Sequence, residues 1–93
     1  MFVYVLRSQK DGKRYIGMAI DFVKRKADHD AGRVRATRGR RPLEIVYVEE
    51  YGSLAEARKR EKYFKTAAGR RKLNALLSAG PVAQRIEQQP SKL

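Results

Sequence analysis

The chain has 93 residues and a formal net charge of +12, from 22 Lys and Arg against 10 Asp and Glu, so it reads as one small, strongly basic domain. It contains no cysteine, which excludes disulfides, thiolate metal sites and cysteine catalysis and fits the reducing cytoplasm. No apolar run approaches the roughly 20 residues of a membrane span, and the N-terminus lacks the basic-then-apolar layout of a secretory signal.

So large an excess of positive charge repels itself on a small folded surface, and it is tolerated where the partner is a polyanion. Nucleic acid is the first candidate. A membrane surface fits less well, because the basic residues do not lie opposite one continuous apolar helix face.

The chain opens on an apolar run, Phe2-Val3-Tyr4-Val5-Leu6, followed by Asp11-Gly12 and then Arg14-Tyr15-Ile16-Gly17. Asp-Gly between two runs rich in β-branched and aromatic residues predicts a hairpin closed by a primed turn. Strand alternation puts Phe2, Tyr4 and Leu6 on one face and Val3 and Val5 on the other, with Tyr4 and Tyr15 as near neighbours. Two adjacent tyrosines make either a well-packed sheet or half of an active site.

Asp21 is placed to cap a helix over 22–29, with Gly32 as its stop. On that helix Arg25 and His29 point the same way, with Phe22 beside Arg25; a solvated charged face is the plainer reading of these residues. The next stretch, 32–42, carries Arg33, Arg35, Arg38, Arg40 and Arg41 with almost nothing apolar. It reads as a loop that packs no core, either a backbone clamp for DNA or RNA or a disordered solubilising segment. Leu43 to Glu50 alternates as a third strand, with Pro42 at its start.

Ser53-Leu54-Ala55-Glu56 is a capping box that begins a second helix. Its core stripe is expected to run Leu54, Ala57, Glu61, Phe64, which sets a carboxylate in an apolar face. Such a glutamate requires a cationic neighbour, a bound metal or a cleft; Arg58 and Lys65 are the nearest candidates for an ion pair. Gly69 is expected to end this helix, and Arg70 to Leu77 to form a short third one that packs through Leu73, Leu76 and Leu77. Residues 78–93, with two prolines, read as a tail outside the core.

Taken together, Phe2-Val3-Tyr4, Tyr15-Ile16-Gly17, Arg25 with His29, Thr37 to Pro42, and Arg60-Glu61-Lys62-Tyr63-Phe64-Lys65 resemble, in order and spacing, the GIY-YIG nuclease superfamily, and within it the short single-domain bacterial branch. The likeness covers residues 1–77; Phe2 stands where the naming tripeptide carries glycine. It implies an α+β fold, a small three-stranded antiparallel sheet with packed helices. It further implies Glu61 as the metal-binding carboxylate, Arg25 as the phosphate-binding arginine, and Tyr4, Tyr15 and His29 as the rest of the catalytic set. One divalent ion, Mg²⁺ or Mn²⁺, is the implied cofactor.

The expected function is hydrolysis of phosphodiester bonds in DNA, with RNA not excluded, structure-selective or weakly sequence-dependent. Arg33, Arg35, Arg38, Arg40, Arg41 and Lys65 are the expected nucleic-acid contacts. The general base is open among Tyr15, Tyr4 and His29. The alternatives are a non-catalytic basic nucleic-acid-binding module on the same fold and, less favoured, a scaffold for an acidic protein.

Overall fold

A computed structural model describes residues 1–78, and the part of the expected tail at 79–93 lies outside the described residues. The elements are β1 (Phe2–Ser8), β2 (Arg14–Ala19), α1 (Phe22–Asp30), a 3₁₀ turn (Arg38–Arg40), β3 (Leu43–Glu50), α2 (Leu54–Phe64) and α3 (Ala67–Ser78). The sheet is antiparallel with β1 in the centre, in the order β2-β1-β3. This is the expected α+β fold.

β1 takes the central place because it can bury both faces. Val3 and Val5 pack with Tyr47, Ala57, Phe64 and Leu73 under α2 and α3. Tyr4 and Leu6 point the other way, into a cluster with Leu43 and Val48 that Phe22 of α1 helps to cover. The sheet is therefore the middle layer, with α1 on one side and the α2–α3 pair on the other, and a bulge between Val5 and Leu6 adjusts its register against β3.

The hairpin forms, but not on a two-residue primed turn. Gly12 takes φ +75° while Asp11 does not, so the chain uses the longer connection Gln9 to Lys13. Side chains stabilise it: the Ser8 hydroxyl oxygen accepts from the amides of Lys10 and Asp11 at 3.1 and 3.2 Å, and the Asp11 carboxylate accepts from the Lys13 amide at 2.9 Å.

The arginine-rich stretch also departs from expectation, because it contributes to the core. Val34 and Thr37 are buried, and the Ser8 hydroxyl donates to the Arg40 carbonyl at 2.6 Å, tying the 3₁₀ turn to the hairpin. Val34 and Thr37 are three residues apart, one helical turn, so even a loop dominated by arginine can offer one small inward face.

α1 starts as expected, with the Asp21 carboxylate accepting from the Lys24 amide. α2 starts at its capping box, where the Ser53 hydroxyl oxygen accepts from the Glu56 amide at 3.2 Å. Leu54, however, is 49% exposed: the first turn of α2 lies clear of the sheet, and the buried stripe begins only at Ala57.

Gly69 is not a helix stop. α2 ends at Phe64, and α3 begins at Ala67 because the Thr66 hydroxyl accepts from the Gly69 amide at 3.0 Å and donates to the Tyr63 carbonyl at 2.7 Å. Gly69 is buried inside the first turn of α3, where a Cβ would collide with the Tyr63 carbonyl. Its role is to let two helix backbones touch.

Behind the sheet, Glu49 locks α2 onto β3. Its carboxylate accepts from Arg60 at 2.9 and 3.0 Å, from Tyr47 at 2.6 Å and from Tyr51 at 2.6 Å, while the Arg60 guanidinium lies 4.4 Å from the Phe64 ring centre. Burial pushes the Glu49 carboxyl up, but these hydrogen bonds outweigh it and hold the group below its ordinary pKa. A carboxylate with a lowered folded-state pKa adds stability above its unfolded value, about 4.3, that is lost as pH falls through the folded value. Glu49→Ala leaves the Arg60 charge without its partner and is expected to cost about 3–5 kcal/mol in urea unfolding. Its loss of stability on the acid side of about pH 4.3 should also be shallower than that of the parent.

Candidate active site

The site grows from one steric fit. Tyr4 of β1 lies across Gly17 of β2: a Cβ at position 17 would stand 2.6 Å from both the Tyr4 Cζ and its hydroxyl oxygen, and 3.0 Å from the Tyr15 ring. Only glycine leaves room for the phenol there. Tyr15, two positions before Gly17 on the same face, stacks at a tilt beside Tyr4 with ring centres 6.3 Å apart.

From this slot the Tyr4 hydroxyl meets α1. It is 2.9 Å from His29 Nε2, and His29 Nδ1 is 2.7 Å from the Thr37 hydroxyl. Arg25, one turn earlier on α1, acts electrostatically on the same phenol. His29 is the neutral imidazole, held by a hydroxyl at each ring nitrogen. The plain reading of His29 as part of a solvated face is overturned, since the ring is fully buried.

The electrostatics agree with that assignment. Burial, followed by the positive charge of Arg25, lowers the His29 pKa from its ordinary 6.5. The Tyr4 phenol raises the Arg25 pKa. Burial raises the Tyr4 pKa, Arg25 opposes the rise, and the charges of Tyr15 and Glu61 add to it. The carboxylate of Glu61 on α2 is therefore felt at the Tyr4 phenol of β1.

Glu61 is half-buried, with its side chain 20% exposed, and pairs with Lys65 one turn on at 3.2 Å. Of the two ion-pair partners expected from sequence, the structure uses Lys65. The Tyr15 hydroxyl has no hydrogen-bond partner among the described residues, unlike that of Tyr4.

No three His, Cys, Asp or Glu side chains gather among the described residues, so the chain offers no protein cage for zinc or calcium there. One half-buried carboxylate fits a hard divalent ion that keeps most of its waters, as Mg²⁺ does. Its ion-pair partner, Lys65, has a side chain 55% exposed and is free to swing away.

A family model described as the GIY-YIG catalytic domain matches residues 1–74. The chain belongs to the GIY-YIG family. It is 39% identical over 80 residues to a UPF0213 protein of Staphylococcus saprophyticus, covering 85% of this chain and 95% of that one. A UPF0213 protein of Staphylococcus epidermidis is 40% identical over 76 residues, covering 81% and 92% of the two chains, and one of Listeria monocytogenes is 36% identical over 72, covering 76% and 80%. No solved structure matches. Membership makes this a domain of a nuclease superfamily, and no described helix is long and apolar enough to cross a membrane.

Of the residues singled out from sequence, the GIY-YIG chain brings Tyr4, Tyr15 and His29 into contact, while the charges of Arg25 and Glu61 act on the Tyr4 phenol. The loop arginines make their contacts with α1, with the hairpin turn and within their own stretch. Arg33 is paired with Asp28, Arg40 with Asp11, and Arg41 donates to the carbonyls of Arg38 and Asp30. Arg35 and Arg38 are exposed, with no side-chain partner among the described residues. Thr37 was missed, although it holds the far side of His29; its one-turn spacing from Val34 was the available signal.

Gly17→Ala should drive the phenol off His29, costing about 1–3 kcal/mol in thermal or urea unfolding. In the parent, the His29 imidazole followed by NMR should titrate below 6.5. Because its folded-state pKa is lowered, stability tied to His29 is present above 6.5 and lost as pH falls below it. Displacing Tyr4 in Gly17→Ala should bring the imidazole pKa back toward 6.5.

Proposed function

We propose that this GIY-YIG domain is a metal-dependent endonuclease that hydrolyses phosphodiester bonds in DNA, structure-selective or weakly sequence-dependent, acting in the cytoplasm through residues 1–77. The observation that carries this reading is the convergence of Tyr4, Tyr15 and His29 at one half-buried spot with the charges of Arg25 and Glu61 acting on the Tyr4 phenol.

In-line attack of water on a phosphodiester builds negative charge on the non-bridging and leaving oxygens. Arg25 opposes the charge on the non-bridging oxygens through a planar fork suited to phosphate. Glu61 would hold one divalent ion, Mg²⁺ or Mn²⁺, which supplies positive charge at the scissile phosphate.

His29 is too buried to meet a substrate, so its role is to orient Tyr4. Tyr15 has an uncommitted hydroxyl and is the group left to orient the attacking water and take its proton. The loop arginines would hold the DNA backbone away from the reacting bond.

The Glu61–Lys65 ion pair is what favours a second reading, a non-catalytic module that binds nucleic acid through charge alone. The two separate on a panel of branched, nicked and single-stranded DNA with Mg²⁺ or Mn²⁺. The endonuclease cleaves at least one of these, and Glu61→Ala and Arg25→Ala each slow it by about a hundredfold to a thousandfold. No turnover on any substrate, with binding that weakens steeply in salt, leaves the binding module.

A further inference from the structure

A second concave surface begins where the site ends. A groove of about 880 Å³ runs between β2 and α3, and Tyr15, which packs against Tyr4 and His29 at the site, is also part of its wall. Its rim carries Arg7, Lys13, Arg14, Lys65 and Arg70, and no carboxylate lines it. Its floor is apolar, built from the partly exposed Ile16, Val46 and Leu77 over the buried Leu73.

Arg7 and Lys65 are paired with Glu44 and Glu61, and the other rim cations have no acidic partner among the described residues. Lys13 and Arg70 are exposed and have no ion-pair partner among the described residues. Arg14 donates to the Asn74 side-chain carbonyl at 2.7 Å, which steadies the guanidinium on the α3 side and leaves its charge intact. None of the arginines at 33–41 lines this groove.

We propose that this groove binds one single strand of nucleic acid, its phosphates on Lys13, Arg14 and Arg70 and its sugars and bases against the apolar floor, and leads that strand to Tyr15. The proposal rests on the phosphodiesterase reading for its direction. A duplex keeps its base faces inside and meets a protein chiefly through phosphates, so it would leave the floor uncovered. A single strand has both chemistries to offer, and binding of this kind combines a cationic groove with apolar surface for its bases. An acidic peptide would satisfy the rim alone.

The test measures fluorescence anisotropy of a labelled single-stranded oligonucleotide and of a duplex of equal length, in EDTA so that binding is read without turnover, across a salt series. Lys13→Gln/Arg70→Gln removes two exposed charges from a chain of net charge +12, and circular dichroism checks that it folds. The expected result is weaker single-strand binding, with the slope of log affinity against log salt reduced by about 1.4, at about 0.7 for each phosphate no longer neutralised. Duplex binding should change much less. Unchanged single-strand affinity and slope would overturn the track, as would an equal weakening for duplex or displacement of the strand by a polyglutamate peptide in the parent but not the variant.

Glu61→Ala in the same assay keeps the two readings apart. Groove-dependent binding with no metal-dependent cleavage by the parent defeats the nuclease and leaves the track. Cleavage that stops in Glu61→Ala, with single-strand binding indifferent to Lys13 and Arg70, does the reverse.

Discussion

The structure depends on the hydrogen bonds that start from one buried phenol. Tyr4 comes from the central strand and reaches His29 of α1, and His29 in turn reaches Thr37 of the arginine-rich stretch. A sheet, a helix and a loop with little apolar content of its own are thereby joined through polar atoms. His29, in the middle, has a partner on either side, which is what makes burying it tolerable. The same bonds decide which group stays available. Tyr4 and His29 are committed inward, and Tyr15 is left with a free hydroxyl at the edge of the site.

Electrostatics sort the rest of the surface. Six ion pairs occupy most of the acidic side chains, among them Asp28 with Arg33, Asp30 with Lys26, and Glu61 with Lys65. Among the described residues most of the other basic side chains have no acidic partner, and several of them gather along the groove beside the site. The deepest pair, Glu49 with Arg60, lies on the other side of the sheet from Tyr4 and has a mechanical role. It fixes the rotation of α2 one residue before Glu61, so the facing of that carboxylate is set by a buried salt bridge that no substrate touches.

Much of this was legible in the sequence, because the strand and cap signals are local. Alternation in Phe2 to Leu6, Asp21 before α1 and Ser53 before α2 each specify their element through neighbouring backbone groups. The expectations that failed needed tertiary information. Leu54 has the right spacing for the buried stripe but no layer above it. Gly69 has the composition of a stop but the position of a contact. Thr37 is indistinguishable from a solvated loop residue until His29 is seen beneath it. The Tyr, Arg, His and Glu set was legible only as a pattern in order along the chain, since no short stretch holds more than two of its members; the groove along α3 was not legible, because its rim comes from distant segments.

The backbone contact at Gly69 has a mechanical consequence. With the Tyr63 carbonyl pressed against the start of α3 and only Lys65 and Thr66 between the helices, α2 and α3 have no cushion of side chains at their crossing and no slack in their connection. They behave as a single bracket. Any opening needed to admit or release a strand would have to be taken up elsewhere, at the glycine-bearing turn of the hairpin or the short link before α2, while the bracket keeps Glu61 and the α3 wall at a fixed separation.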